Sequence, residues 1–235
     1  MPALLDNAPL DNPIWHALIG PHANFALGRG AARHYPPEMS PFSAIAESTE
    51  AAYADLAADL APGADVRLVR RSEEPAPPGW ETLNARSLEQ MILPSAALPP
   101  HALPAESRAI PLGLDDAPDM LALVELTKPG PFGPRTVELG EYIGVRDPNG
   151  RLIAMAGERL RLDGHTEISA VCVHPDARGQ GLSAALIFRA ARPIFARGQV
   201  PFLHVFPDNP AMELYARLGF RWRATLWLTW RRPIL

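Results

Sequence analysis

The sequence predicts an α/β (α+β) fold in which strands and helices pack around a shared core. Two observations lead to this prediction. After residue 108, apolar residues that alternate and apolar residues at helical spacing follow one another in short segments. Within that region, residues 167–183 pass from a strand of small and β-branched residues, through a turn with two close glycines, into a helix. Such a strand order predicts a mixed sheet with right-handed crossovers.

The first hundred residues predict a smaller α/β region that carries no motif of recognisable role. Asp11-Asn12-Pro13 favours the start of a helix, because proline fits the first helical position. The other elements predicted here are a strand at His22–Leu27, a helix within Ser43–Leu60, a strand at Asp65–Arg70, and a mixed strand and helical segment at Trp80–Leu93.

A proline-rich segment at Pro94–Pro111 predicts a connection between two units, residues 1–100 and 101–235. The elements predicted after it are a strand at Arg108–Leu112, a helix at Ala117–Leu126, a short helical piece at Val137–Leu139, a hairpin of Tyr142–Arg146 and Leu152–Leu160, a strand at Thr166–Val173, a helix from Gly181 to Arg192 that Pro193 kinks or ends, a strand at Val200–Val205, a helix at Asn209–Arg217 and a strand at Trp222–Trp230.

Composition excludes several classes of function. The net charge of −4 and the lack of a basic stripe argue against a nucleic-acid partner. A single cysteine, Cys172, excludes an intramolecular disulfide framework and a metal site built from several cysteines, so no metal is expected. The N-terminus has no secretory pattern, and no apolar run approaches about 18 residues. We therefore expect a cytoplasmic protein without a membrane partner.

The turn at Arg178-Gly-Gln-Gly181 is the first candidate site. A glycine-rich turn between a strand and a helix leaves several backbone N–H groups unpaired, and the helix N-terminus adds partial positive charge. The residues therefore predict a phosphate or pyrophosphate site. No Lys-Ser/Thr follows the glycines, which argues against a nucleoside triphosphate enzyme.

Two segments, in this order, resemble the signatures of the GCN5-related N-acetyltransferase (GNAT) superfamily, and most closely its FR47-like branch. The segment Arg178–Ser183 is similar to the motif Arg/Gln-x-x-Gly-x-Gly/Ala, with Ser183 in place of glycine or alanine. The segment Asn209–Phe220 resembles the second signature, a helix followed by Gly-Phe. The resemblance covers residues 108–232. It implies a mostly antiparallel central sheet flanked by helices, and for the N-terminal half a degenerate related fold.

The resemblance also implies acetyl-CoA, or another acyl-CoA, as co-substrate. Asn209 would contact its pantetheine arm or the substrate, although it also suits a plain helix cap. Arg178 could equally be a solvated surface residue, and Cys172 a core residue. The backbone groups that the family uses for CoA correspond here to Val171, Cys172 and Val173 for pantetheine, and to Arg178, Gly179, Gln180, Gly181, Leu182 and Ser183 for pyrophosphate.

Four side chains are candidates for catalysis or for a place beside the substrate. Glu167 lies where several family members place a general base, although a salt-bridged or strand-end carboxylate is the alternative. Glu158 is a second, weaker candidate for the base. Tyr215 aligns with the tyrosine that often donates a proton to the CoA sulfur, and its alternative is a core aromatic. His204 lies where the two central strands are expected to splay, which suggests a place beside the substrate.

The function implied is an acyl-CoA-dependent N-acyltransferase in which a primary amine of a small molecule or peptide attacks the thioester directly. A homodimer is compatible with this prediction. The alternative is a non-catalytic acyl-CoA-binding or protein-interaction module, because the first hundred residues could bind a partner instead of forming an amine pocket.

Overall fold

The computed structural model describes residues 8–98, 102–105 and 107–234. None of the helices in these ranges has the length and apolar character needed to span a membrane. The elements up to residue 98 are α1 (Pro13–Ile19), β1 (Ala32–His34), β2 (Ser43–Ile45), α2 (Glu50–Ala57), β3 (Val66–Arg70) and β4 (Trp80–Ile92).

The second part of the chain supplies the remaining strands and the long helices. Its elements are β5 (Ala109–Leu112), α3 (Ala117–Thr127), β6 (Tyr142–Arg146), β7 (Leu152–Leu162), β8 (His165–Val173), α4 (Leu182–Ala196), β9 (Val200–Val205), α5 (Ala211–Arg217) and β10 (Arg221–Pro233). A 3-10 helix at Thr136–Leu139 confirms the short helical piece predicted there.

Eight strands form one sheet in the order β3-β10-β4-β9-β8-β7-β6-β5, and β1 and β2 form a separate pair. Within the described sheet, β8 and β9 are parallel and every other neighbouring pair is antiparallel. The prediction of a mixed, mostly antiparallel central sheet flanked by helices is confirmed.

The sheet also joins the two units that the sequence predicts on either side of residue 100. Strand β4 lies between β9 and β10 and pairs with both, while β3 pairs with the outer side of β10. Two strands from the first hundred residues are therefore part of the sheet that carries the glycine turn.

Helices cover both faces of the sheet. Phe202 of β9 packs with Leu18 of α1, whereas the next residue, Leu203, packs with Phe188 of α4. Because successive side chains of a strand point to opposite faces, α1 and α4 lie on opposite sides of the sheet. Helix α3 packs on the same face of the sheet as α1. Its Met120 packs in the cluster that contains Met155 of β7, whereas the preceding residue of β7, Ala154, points to the other face and packs in the cluster that contains Leu186 of α4.

Three predicted elements differ in the structure. The strand predicted at His22–Leu27 is wrong, because residues Ala23–Phe25 form a 3-10 helix. The helix predicted within Ser43–Leu60 begins only at Glu50, where the Thr49 hydroxyl caps it by accepting from the Ala52 N–H at 3.2 Å. The mixed segment at Trp80–Leu93 is one 13-residue strand, held by antiparallel pairing to β10.

Helix α4 differs from its prediction because it runs through Pro193 to Ala196. Proline lacks only one backbone donor, and the extensive burial of this helix against the sheet compensates for that loss. Gly198, with φ of +73°, follows the helix as predicted.

Gly157 of β7 is a position where the fold excludes any side chain. A Cβ there would overlap the ring of the buried Tyr142. We expect Gly157→Ala to lower the free energy of unfolding by about 1–3 kcal/mol, because the ring must shift within a packed core. In thermal denaturation this corresponds to a fall in Tm of about 3–10 °C.

Gly113 provides the matched control. Its φ is −132°, which alanine adopts readily, and no heavy atom lies within 4 Å of a Cβ built there. We expect Gly113→Ala to leave the Tm nearly unchanged. Equal losses in the two variants would contradict the contact between Gly157 and Tyr142.

Candidate functional site

Strands β8 and β9 diverge in the middle of the sheet. They pair at three positions, from His165 with Val200 to Glu167 with Phe202. Beyond those residues no pairing between them is found in the described chain, although β8 continues to Val173 and β9 to Val205. The predicted splay is present, and it leaves the β9-facing edge of β8 with backbone groups that no strand occupies.

A bulge in β8 lies within the splay. Between the pairs Gly157–Ser169 and Met155–Cys172, β8 contains one residue more than β7. Ala170 has a φ of +51°, a left-handed conformation that is uncommon for a residue with a side chain. A bulge bends its strand and redirects the residues that follow. Those residues are Val171 to Val173, the segment predicted to pair with pantetheine.

The turn after β8 presents a set of unpaired backbone donors. Gly179 and Gly181 have φ values of +79° and +76°, and Gly181 caps α4. For the N–H groups of residues 179–184, no acceptor is found in the described chain. A Cβ built on either glycine meets no heavy atom within 4 Å, so the space in front of the turn is open. These are the conditions that an anion site at a helix N-terminus needs.

Two adjoining cavities connect the turn to the splay. A cavity of about 340 Å³ lies between the glycine turn and the side chains of Leu214 and Arg217 on α5. A second, of about 230 Å³, is lined by Thr127 and Pro129 after α3 and by residues 171–173. Val173, Arg178 and Ser183 line both cavities. The predicted pyrophosphate and pantetheine segments therefore lie along one continuous path.

Two arginines flank this path. Arg178 is exposed, and no carboxylate lies within 4 Å of its guanidinium in the described residues. Arg217 stands on the opposite wall, where its side chain is 68% exposed and its nearest carboxylate, on Glu213, is 3.7 Å away. Such an exposed, long pair neutralises little charge. The path is therefore positively charged at the turn, which favours an anionic ligand.

A larger cavity, of about 920 Å³, lies on the other side of the turn, between Gln180 and the β6–β7 hairpin. Two of the three arginines that line it already have carboxylate partners. Arg146 binds Asp116 at 2.6 Å and Arg151 binds Asp147 at 3.2 Å. Gly179 and Gly181 of the turn line the 340 Å³ cavity and not this one, so we place the site at the glycine turn and the splay.

Tyr215 lies on α5, next to Leu214, whose side chain lines the path. Its ring packs edge-on against Phe220, with centroids 5.8 Å apart. Burial, with a smaller contribution from the Cys172 thiol, raises the pKa of Tyr215 to about 12. The phenol is therefore protonated at neutral pH and can act as a proton donor. Tyr215 packs against the cluster that contains Ile168 of β8, as does Val171 of the same strand.

Two of the predicted contact residues have structural roles. The Asn209 side chain accepts a hydrogen bond from the Ala211 N–H at 2.9 Å, which is the cap alternative. Burial raises the pKa of the Cys172 thiol to about 11, and the side chain packs among core residues. A thiol of this kind is a poor nucleophile. The Cys172 backbone still lies on the open edge of β8.

Glu167 is fully committed to two partners. Its carboxylate accepts hydrogen bonds from Arg159 Nε and Nη2, at 2.9 and 2.6 Å, and from His204 Nδ1 at 2.8 Å. Although burial opposes ionisation, Arg159 and His204 together lower the pKa of Glu167 to about 2. Such a carboxylate accepts a proton poorly at neutral pH. The geometry supports the salt-bridged alternative for Glu167 and gives no support to the general base.

Glu158, the second candidate for a base, is also buried and paired. Its two oxygens lie 2.6 Å from Arg161 Nη2 and Arg197 Nη2. It occupies β7, one strand further from the splay. Its geometry is that of a structural ion pair.

His22 belongs to the N-terminal segment and lies close to Arg161 of β7. The residue is 2% exposed, and its Nδ1 lies 2.8 Å from the Tyr35 hydroxyl. Burial lowers the pKa of His22 from 6.5 to about 4, and the nearby Arg161 guanidinium adds to the effect. The folded protein thus holds His22 neutral.

This lowered pKa predicts a loss of stability in mild acid. The unfolded chain binds a proton at His22 near pH 6.5 and the folded chain only near pH 4. The contribution of His22 is therefore complete above pH 6.5 and is lost as the pH falls towards 4, by up to about 3 kcal/mol. The free energy of unfolding, measured with urea across that pH range, should depend less on pH for His22→Gln than for the unchanged protein. Identical slopes would contradict the assignment.

Several residues of the site were not predicted from sequence. Arg217 lies three residues after Leu214, which is about one helical turn, so the two side chains line the same wall of the path. Arg159 lies four residues before the tight turn at Asp163-Gly164 and Glu167 lies three residues after it. Opposite charges at nearly equal distances from a hairpin turn indicate an ion pair between the two strands. Gln90 of β4, whose Nε2 lies 3.0 Å from His204 Nε2, has no such signal, because β4 is far from β9 in sequence.

Comparisons with known proteins agree on one family. The family described as FR47-like protein matches residues 142–228, which run from β6 into β10. A solved structure from Novosphingobium aromaticivorans, assigned to the GNAT family of acetyltransferases, is 37% identical, with a TM-score of 0.85. The alignment covers 96% of this chain and 98% of that one.

A GCN5-related N-acetyltransferase from Sphaerobacter thermophilus is also similar, with 17% identity, a TM-score of 0.53, and coverage of 87% of this chain and 77% of that one. At this level of identity the likeness concerns the fold alone. Among curated proteins, none matched the chain.

Proposed function

The chain belongs to the GCN5-related N-acetyltransferase superfamily, and from that premise we propose that it transfers an acyl group, in the first place acetyl, from CoA to a primary amine of a small molecule or peptide. The observation that carries the proposal is the run of unpaired N–H groups at residues 179–184, beside the open edge of β8. Pyrophosphate needs several convergent donors with no side chain in the way, and pantetheine amides need a free strand edge.

The residues present fit CoA as a co-substrate. The backbone of residues 179–184 would hold the pyrophosphate, with Arg178 and Arg217 flanking it. The edge of residues 171–173 would pair with the pantetheine arm. CoA itself supplies the acyl group as a thioester, whose carbonyl a neutral amine can attack.

Tyr215 would donate the proton that the leaving thiolate needs. Its raised pKa keeps the phenol protonated throughout the usual assay range. Because Glu167 is held as a carboxylate by Arg159 and His204, the amine would lose its proton to solvent and not to that side chain. Direct attack within a ternary complex also agrees with the poor nucleophilicity expected for Cys172.

The hydrogen bonds of Glu167 to Arg159 and His204 are also the observation that favours the second candidate, an acyl-CoA-binding module without turnover. A thiol-release assay with acetyl-CoA and a panel of amino acids, peptides, polyamines and aryl amines separates the two. Amine-dependent release of free CoA supports the transferase. Tight CoA binding without release across the whole panel supports the binding module.

A further inference from the structure

A chain of buried polar side chains crosses the sheet at the point where β8 and β9 separate. Arg159 of β7 binds Glu167 of β8, Glu167 binds His204 of β9, and His204 Nε2 lies 3.0 Å from Gln90 Nε2 of β4. Glu167 is 1% exposed and Gln90 is completely buried, while the His204 side chain is 5% exposed. Four neighbouring strands are therefore linked through side chains as well as through backbone pairing.

The contacts of Gln90 determine which way the chain of hydrogen bonds runs. Its Oε1 accepts from Arg223 Nη1 at 2.8 Å, and its Nε2 donates to the Leu10 carbonyl at 3.0 Å. Arginine can only donate and a carbonyl can only accept, so the amide has one orientation. The second N–H of Gln90 therefore points at His204 Nε2. That nitrogen must accept, and the ring proton is on Nδ1, which donates to Glu167.

In this arrangement His204 has no free lone pair for proton transfer, and three of the roughly four acceptor sites of the Glu167 carboxylate are occupied. The lone pair of His204 Nε2 is used by Gln90, and the carboxylate of Glu167 is used by Arg159 and His204. Both side chains lie at or next to the last β8–β9 pair, Glu167 with Phe202. His204 lies two residues beyond Phe202, so the hydrogen bond between the two side chains joins the two strands where the splay begins.

We propose that Glu167 and His204 are positioning residues, which fix the distance between β8 and β9 and with it the width of the slot for the pantetheine arm. The proposal rests on the proposed function, since it assigns pantetheine to that slot. Arg159 keeps Glu167 charged, and Gln90 keeps His204 in one tautomer. The other ionisable groups around the network are Tyr35 and His22 of the N-terminal segment, Tyr142 of β6 and Arg223 of β10.

The test compares two buried glutamates. Glu167→Gln is expected to raise the KM for acetyl-CoA and the Kd for CoA by about tenfold, because the slot loses its spacing, with only a small change in kcat. The pH profile of kcat should keep its shape. If Glu167 were instead the general base, kcat would fall by about 100-fold or more, the profile would lose its acidic limb and CoA affinity would stay unchanged. That result would overturn the proposal.

Glu158→Gln is the matched control. Glu158 is 1% exposed, as Glu167 is, and it is held by two arginines, but it lies on β7 away from the splay. We expect it to lower the Tm without altering the Kd for CoA. A loss of CoA affinity equal to that of Glu167→Gln would mean that the effect reflects general destabilisation, and would contradict a specific role in spacing.

Nitrogen-15 spectra of the histidine rings provide a second arm that does not need a folded variant or any ligand. In the unchanged protein, His204 should show a protonated Nδ1 and an unprotonated Nε2 at neutral pH. A proton on Nε2 would overturn the proposal. Failure of the unchanged protein to bind CoA would instead remove the proposed function while leaving the ring assignment as it is, so the two failures are distinguishable.

Discussion

Replacing Gly181 with alanine is expected to weaken the binding of acetyl-CoA by about tenfold to a hundredfold. Gly181 has a φ of +76° and caps α4, so its N–H is among the donors assigned to pyrophosphate. Alanine disfavours this conformation by about 1–2 kcal/mol. Relaxation of the turn would misalign the N–H groups, and the new methyl group would enter the open space in front of them. Isothermal titration of each variant with acetyl-CoA measures the effect.

Gly198 offers a closely matched control for the same substitution. It has a φ of +73°, no heavy atom lies within 4 Å of a Cβ built there, and it follows the other end of α4. Gly198→Ala should therefore cost similar backbone strain and leave acetyl-CoA affinity unchanged. If both variants lost affinity equally, the glycine turn would not be the pyrophosphate site.

Tyr215→Phe is expected to lower kcat by about 100-fold while the KM for acetyl-CoA stays nearly constant. The substitution removes the proton donor proposed for the thiolate but keeps the ring that packs on Phe220. Because burial raises the pKa of Tyr215 to about 12, the hydroxyl donates throughout the usual assay range. Steady-state kinetics with a fixed amine measure both constants.

Tyr53→Phe is the control for loss of a tyrosine hydroxyl. Tyr53 bonds the buried Arg231 in the core between α2, β3 and β10, away from the splay. That variant should lower the Tm without changing kcat. If Tyr215→Phe kept the kinetics of the unchanged protein, Tyr215 would be a core aromatic residue and not the proton donor.

Local features of the site could be predicted from the sequence. The glycine turn, the strand before it and the helix after it depend on residues that are neighbours in the chain, and all three form as predicted. The two alternatives read from residue chemistry, a salt-bridged Glu167 and a capping Asn209, also describe the contacts observed.

Non-local features could not be predicted. The insertion of β4 between β9 and β10 depends on pairings more than a hundred residues apart, for which the alternation of Trp80–Ile92 gives no partner. The contact between Gln90 and His204 could not be predicted for the same reason, since the two residues are more than a hundred positions apart. The bulge at Ala170 could not be predicted from the sequence either, because an alanine does not indicate a positive φ.

The partners of Glu167 show why the sequence left two interpretations of this residue open. A carboxylate in an apolar strand indicates either a catalytic group or an ion pair, and the sequence around Glu167 is compatible with both. Only the assembled sheet brings Arg159 and His204 within 3 Å of it. Distinguishing a catalytic carboxylate from an ion pair here requires the relative positions of β7, β8 and β9.

Isothermal titration of the unchanged protein with acetyl-CoA tests the central claim, that the glycine turn and the splay form a CoA site. The account predicts one site per chain with a micromolar Kd, weakened by Gly181→Ala and unaffected by Gly198→Ala. No heat of binding at high micromolar acetyl-CoA, with the protein shown to be folded, would contradict it.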